Sequence, residues 1–390
     1  MRIDLVFPKL PPALDGIGDH TALLAAALQA MGHDVRVLTA QEEVATIEGV
    51  GIEQAFSMDR RKGITTLGAA VADDPPDWLF VQFNQFSYGR WGLNPYVPIT
   101  LQQIKRRYPR TRIAVMFHED FVPVTSTKFA VMTTWQRAQF WSLGRTADVV
   151  FFSIQPWVER YRSWFRNASV HHLPVGSNIP FCGLSRHGAR SQLGIGPKVT
   201  VAGVFGSAHG SRLLGFVSRA SEAIQEQETH FVLLYVGPHG ALVRSALDGV
   251  HVVDAGALPA ESVSLHLSAM DVHLAPFVDG VSTRRGSFMA GIQHGLPTVS
   301  TVGPLTDQLL ADQDQKAFLL VNERDEQGFV NASVELVKDA VMRRSIGQCA
   351  TEFYHAQFEW SVLARRVTRC LDDCRIPRSE SASPAETRTV

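Results

Sequence analysis

Short apolar runs alternate with longer amphipathic ones along most of the chain. RIDLVF at 2–7 reads as a buried strand and PKLPPALDGIGD as a Pro/Gly loop. HTALLAAALQAM (20–31) reads as a helix stopped by Gly32, and DVRVLT (34–39) as the next strand. Strand, loop, helix and strand within about forty residues make a βαβ unit, whose short apolar strands suit a parallel sheet. The alternation continues with strands at 78–83, 112–118 and 147–153 and helices at 99–109 and 156–166. From VHHLPVGSNIPF onward helical and strand continuity fades, so a linker is expected at about 178–197.

A second series follows. KVTVAGVFGS (198–207) is a strand and loop, 211–227 a helix, 230–237 a strand and 251–256 a short strand. A helix at 260–270, DVHLAPF at 271–277, a helix over Phe288–Gln293 and the strand PTVSTVG (297–303) complete the series. The last strong helical pattern covers 352–374. Two sequential α/β halves predict an α/β protein with two Rossmann-like domains facing a cleft. The expected limits are 1–180 and 198–350, then a closing helix at 351–375 and a polar, disordered tail at 376–390.

In open parallel sheets, ligands bind beyond the carboxyl ends of the strands. Three loops there carry chemistry. LDGIGDHT (14–21) offers Gly16 and Gly18 for close backbone approach at a helix N-terminus, which favours an anion. FGSAHGSR (205–212) places Arg212 at another helix start. PFVDGVSTRRGSF (276–288) places Asp279 and Gly280 just past a strand, with Ser282, Thr283, Arg284, Arg285 and Gly286 around the helix start. A helix dipole opposes arginine at that position, so two together need a reason, and a bound diphosphate would supply it. Each loop also has a plain reading: a tight turn for the first, a solvated arginine for the second, and for the third a surface pair with only one useful member.

Composition narrows the function. Lys plus Arg (37) balances Asp plus Glu (38) in 390 residues, a net charge of −1, which argues against bulk nucleic-acid binding. The four cysteines form no CxxC pair or zinc-type cluster, and no metal-ligating motif stands out, so no metal or cofactor is expected and a reduced, cytoplasmic setting fits. The opening residues do not read as a signal peptide, and no apolar run reaches about 18 residues. KRRYPRTR (105–112) and RYRSWFR (160–166) are candidates for contact with anionic lipid at the inner membrane face, or else solvated helix faces.

The ordered series resembles the GT-B-fold glycosyltransferases, specifically the retaining family 4 type. PPALDGIGDHT, VMFHED, LPVGSNIP, LLYVGPHG, AGIQHGLPTVST and FEWSVLARRV follow that family's order from Met1 to about Cys374. The resemblance implies a C-terminal helix crossing back to the N-terminal domain. It further implies an acceptor-binding first domain, a second domain that binds a nucleoside-diphosphate sugar (UDP- or GDP-linked), and transfer with retention. His118 matches the family's active-site histidine. Asp19, Gln82 and Asn84 are acceptor-side candidates, the last two from the aromatic and amide-rich stretch 82–98. The acceptor is a glycan, a lipid-linked species or a small molecule.

One departure stands out. The family carries two glutamates eight residues apart; here Asp279 stands for the first and Ala290 for the second, eleven apart. Ser207 also replaces a usual arginine, so Arg284 and Arg285 are expected to take over phosphate neutralisation. Three functions follow for comparison: an active transferase, a catalytically degenerate nucleotide-sugar-binding or partner subunit, and a nicotinamide oxidoreductase. The last fails because Thr21 fills the place of the third glycine and Gln41 stands where a strand-end acid is needed.

Overall fold

The computed structural model describes residues 1–208 and 210–374; the expected tail at 376–390 lies outside the described residues. The first half builds a seven-stranded sheet: β1 (Arg2–Val6), β2 (Asp34–Thr39), β3 (Gly51–Gln54), β4 (Trp78–Phe83), β5 (Arg112–Phe117), β6 (Val149–Phe152) and β7 (Ser169–His172). The second builds a six-stranded sheet: β8 (Thr200–Phe205), β9 (Phe231–Val236), β10 (Val252–Asp254), β11 (Val272–Ala275), β12 (Thr298–Val302) and β13 (Leu319–Asn322). The orders are β3-β2-β1-β4-β5-β6-β7 and β10-β9-β8-β11-β12-β13, with parallel pairing throughout.

Helices cover both sheets. The first half carries α1 (Gly16–Ala30), α2 (Leu67–Asp73), α3 (Gln85–Tyr88), α4 (Tyr96–Arg107), α5 (Thr127–Thr146) and α6 (Gln155–Tyr161). After these come α7 (Arg186–Leu193), α8 (Leu214–Gln225), α9 (Gly240–Ala246), α10 (Ala260–Ser268) and α11 (Gly286–Gln293). The last four are α12 (Gln308–Ala311), α13 (Glu326–Lys338), α14 (Ala340–Gln357) and α15 (Trp360–Asp373). The expected class, two Rossmann-like α/β domains facing a crevice, is the architecture observed.

Strand order reverses between β1 and β4 in one sheet and between β8 and β11 in the other. Those are the switch points where crevices open in doubly wound sheets. The loops after β1, β4, β8 and β11 therefore face the space between the lobes.

The closing helix returns to the first lobe, as expected. On α15, Leu363, Ala364, Val367, Cys370 and Leu371 are buried, a helical stripe that packs against α1. Burying Leu363, Val367 and Leu371 contributes about 1.5–3 kcal/mol each relative to exposure. The expected single helix at 352–374 is in fact two. Phe358 is fully buried and caps α14. The chain then turns and Trp360 starts α15, its Nε1 donating to Ser177 O at 2.9 Å. No Gly or Pro marks this break.

Other elements differ from expectation for local reasons. The helix after the first glycine loop starts at Gly16 rather than His20, because Asp15 caps it by accepting from the Ile17 and Gly18 amides at 3.0 and 3.1 Å. The expected linker holds α7, capped by Ser185, with Arg190 anchored to Ala269 O and Asp271. The 20-residue helix α5 was not anticipated. Its buried Thr133, Gln136 and Gln139 interrupt the apolar stripe while bonding to nearby loop backbone.

Candidate active site

Two cavities lie between the lobes and share Leu14 and Asn178 as lining residues. One, of about 490 Å³, is polar; Gly16, His20, Asn84, His118, Glu119 and Arg284 are among its walls. Its floor is the crossing segment Val175, Gly176 and Asn178, with Trp360 of α15 alongside. The other, of about 520 Å³, is mostly apolar, with Pro11, Phe205, Val236, Pro238, Leu258 and Pro259 among its walls. Together they form one crevice with a wet half and a greasy half.

Gly16 opens α1 beside the polar half, and a Cβ built there meets nothing within 4 Å. Gly18 has a different task. A Cβ there would stand 2.6 Å from Lys9 O, so its bare backbone admits its own loop and not a ligand. Asp19 accepts from Asn178 Nδ2 at 2.7 Å and so ties α1 to the crossing segment.

His118 follows β5, and its Nε2 donates to Gln82 Oε1 at 2.8 Å. Gln82 is fully buried, so it positions His118 and presents no surface to an acceptor, a correction to the expected role. Asn84 lines the cavity and caps α3, accepting from Phe86 N at 2.9 Å. Burial, then the nearby His20, hold His118 well below the ordinary imidazole range, so it is neutral. His20 stands 5.1 Å from both the His118 and Trp360 rings, centre to centre. Neither of its ring nitrogens has a hydrogen-bond partner among the described residues, and burial lowers its pKa to about 3. A buried imidazole lining a polar cavity with both nitrogens unpaired is available to a ligand hydroxyl.

The three arginines divide. Arg284 reaches across the crevice to pair with Glu119 and lies 5.0 Å over the Trp157 ring. It is a neutralised interlobe clamp. Arg212 and Arg285 lie 5.1 and 4.6 Å from the centre of the Phe277 ring. Arg212 donates to Phe205 O, to Ser207 O at 3.2 Å and to Ser287 Oγ at 3.1 Å; Arg285 donates to Ser211 Oγ at 3.2 Å. All these acceptors are neutral, and neither arginine forms an ion pair among the described residues. Arg212 Nη1 and Arg285 Nε also lack partners there. Burial lowers both guanidinium groups to about 10, so both stay charged at neutral pH. Two cations without an ion pair, Arg212 buried and Arg285 half-buried, stand beside the first turn of α11, next to Gly206 and Ser287, and form an anion-binding constellation.

Asp279 and Gly280 fall outside it. Gly280 has φ +81°, and a Cβ there would stand 2.2 Å from Gly303 N; the pair forms a turn against the end of β12. Asp279 O accepts from Leu305 N at 3.0 Å. Ser282 is buried, with no partner for its Oγ among the described residues. Thr283 latches the lobes instead: its Oγ1 donates to Ser153 O at 2.7 Å, and its amide to Asp307 Oδ2 at 2.7 Å. Asp307 Oδ1 accepts from Gln155 N at 2.6 Å. Gly286 lines the polar cavity. Ala290 is fully buried in an apolar cluster, so nothing at that position reaches the crevice.

Of the expected residues, the structure thus gathers Gly16, Asn84, His118, Arg284 and Gly286 on one cavity and Arg212 with Arg285 beside it. Sequence reasoning missed His20, Glu119, Asn178, Ser287 and Trp360. His20 was detectable, since it follows the glycine loop by one helical turn. Trp360 was not, because its position depends on the unmarked break before α15. Among the described residues no cluster of three or more His, Cys, Asp or Glu could hold a metal ion. The Asp312-Gln313-Asp314 triplet serves a turn, with Asp314 Oδ1 accepting from the Gln315 and Leu320 amides.

No protein-family model matches the chain, and no curated protein matches it. Solved structures do match in fold. Sucrose-phosphate synthase from Thermosynechococcus elongatus superposes with a TM-score of 0.71 at 17% identity, covering 95% of this chain and 98% of that one. WaaG, a glycosyltransferase involved in lipopolysaccharide biosynthesis, matches at 0.66 and 15%, covering 95% and 99%. Anabaena HepE, solved in complex with UDP-glucose, matches at 0.63 and 14%, covering 96% and 100%. The chain has the GT-B fold.

Proposed function

We propose that the protein is a glycosyltransferase that moves a hexose from a UDP- or GDP-linked donor to an acceptor hydroxyl, with retention of configuration. The observation that carries the reading is the pair of guanidinium groups of Arg212, buried, and Arg285, half-buried, neither in an ion pair among the described residues, set beside the crevice with its apolar and polar halves. In this reading the apolar half takes the base and the polar half the sugar. The diphosphate bridges them at the N-terminus of α11. HepE, of the same fold, is solved with UDP-glucose, which supports a nucleotide-sugar donor here.

Breaking the bond from the anomeric carbon to the β-phosphate leaves negative charge on the diphosphate. Arg212, Arg285 and the first amides of α11 stabilise that charge where it develops, and cost no reorganisation because they are already in place. His118, neutral and anchored by Gln82, orients the donor sugar. The acceptor attacks from the face the diphosphate leaves, and the departing phosphate takes the acceptor proton, so no protein nucleophile is required. The four cysteines are free thiols, in keeping with a reducing, cytoplasmic setting.

Thermal unfolding in the presence of UDP, GDP and dTDP tests the binding half. At least one should raise the melting temperature, since a ligand of the native state stabilises it by mass action. No shift with any of them overturns the reading. Donor-sugar hydrolysis then separates an enzyme from a binding subunit. The buried Ala290, which can hold no ribose, favours the subunit if binding occurs without turnover.

A further inference from the structure

The charge of the chain is unevenly placed. Residues 78–147 hold nine Lys and Arg against two acids, Glu119 and Asp120, while the whole chain has a net charge of −1. This stretch contains α4 and α5, which pack side by side on one face of the first lobe. The face is also apolar where solvent meets it. Trp91 is 54% exposed, Val131 53%, Trp141 49% and Val124 66%. Phe86, 54% exposed, sits between Asn84 and Ser87, both of which line the polar cavity.

Cations accompany these side chains. Arg90 and Lys128 lie 5.2 and 6.0 Å from the Trp91 ring, and Arg145 lies 5.0 Å from Trp141. Among the described residues none of these three pairs with a carboxylate. The clusters singled out from sequence are more committed: Lys105 is tied to Thr146 O and Asp148, and Arg160 stands 3.9 Å from Asp120. Trp91 is also held out deliberately. It adopts φ +58°, a conformation costing about 1–3 kcal/mol for such a residue. Its carbonyl is pinned by Trp135 Nε1 at 3.1 Å and Gln136 Nε2 at 3.3 Å.

We infer that the α4–α5 face docks on an anionic lipid bilayer, with Trp91 and Trp141 in the interfacial layer and Arg90, Lys128 and Arg145 on the headgroups. Exposed tryptophan beside unpaired cations fits that layer, where one end of the ring is apolar and the other wet. No helix among the described residues is long and apolar enough to cross a membrane, so the contact is peripheral. Docking in this way would set the crevice mouth, at Asn84 and Ser87, near the headgroups, where a lipid-carried acceptor would meet it. That consequence rests on the transferase reading; the docking itself does not.

Co-sedimentation of the full chain with vesicles, without any nucleotide, tests the docking. Phosphatidylcholine vesicles should retain little protein. Vesicles containing phosphatidylglycerol should retain most of it, less as salt rises. Lys128→Gln with Arg145→Gln should weaken that binding about 25-fold, at about fivefold per cation. Trp91→Ser with Trp141→Ser should weaken it at unchanged charge. Both double variants should keep the wild-type melting temperature and nucleotide response, which separates lost docking from lost folding. Equal binding to neutral and anionic vesicles overturns the inference, as does no binding to either. So does a wild-type dimer that the tryptophan changes dissociate, which would assign the face to a second copy of the chain.

Discussion

Replacing Arg212 with Met separates a ligand-binding arginine from a structural one, because the two roles move stability and affinity in different ways. Burial lowers the Arg212 guanidinium well below its ordinary range, to about 10. At 1.36 kcal/mol per pH unit, that is a penalty of about 3 kcal/mol on the charged form in the unliganded protein. Met relieves it. Met also removes the charge-assisted donors to Phe205 O, Ser207 O and Ser287 Oγ, at about 1.5–3 kcal/mol each. The relief offsets only part of that loss, so unfolding free energy without ligand should fall by a few kcal/mol. Diphosphate binding has no such offset. Losing one charge-assisted contact of about 1.5–3 kcal/mol should raise the dissociation constant about 10- to 150-fold. Denaturant unfolding and calorimetric titration with UDP or GDP measure the two quantities. A variant several kcal/mol less stable with undiminished affinity would make Arg212 a structural strut and refute the argument.

Further outcomes follow from other contacts. Gln82→Leu removes the acceptor that orients His118, so kcat should fall by up to about 100-fold while the donor KM stays within a few-fold. Gly16→Ala and Gly18→Ala should part ways. A Cβ at Gly18 meets Lys9 O at 2.6 Å and should cost about 1–3 kcal/mol of stability. A Cβ at Gly16 meets nothing within 4 Å in the fold and should instead weaken nucleotide-sugar binding. Burial lowers His20 to about 3 and His172 to about 4, against an ordinary 6.5. Both stay neutral in the native state while the unfolded chain takes up their protons. Their stabilisation is therefore complete above 6.5 and shrinks as pH falls toward the folded values, by about 2 kcal/mol each near pH 5. His20→Phe should flatten that part of the pH–stability curve by about this amount in urea titrations.

The strands were legible because both sheets are covered on both faces, which forces continuous apolar runs such as WLFVQF and FVLLYV. Helix α5 was not legible because it spends buried positions on Gln136 and Gln139, which bond to the Trp91 and Gly92 carbonyls. In the candidate site, two adjacent arginines were visible but their division of labour was not. Neighbouring side chains at a helix start point in different directions, and the carboxylate that neutralises Arg284 lies 165 residues away in sequence. Gly18 and Gly280 looked like ligand-facing glycines, yet each accommodates its own backbone, a distinction only the packed structure can make.

The chain passes between its lobes twice, once between β7 and α7 and again at Phe358 between α14 and α15. Like a door hung on two hinges, a body tethered at two points can swing but cannot twist freely or drift away. The catch on that door is the Thr283–Ser153 and Asp307–Gln155 pair of bonds. Any wide opening of the crevice would then have to break those bonds first.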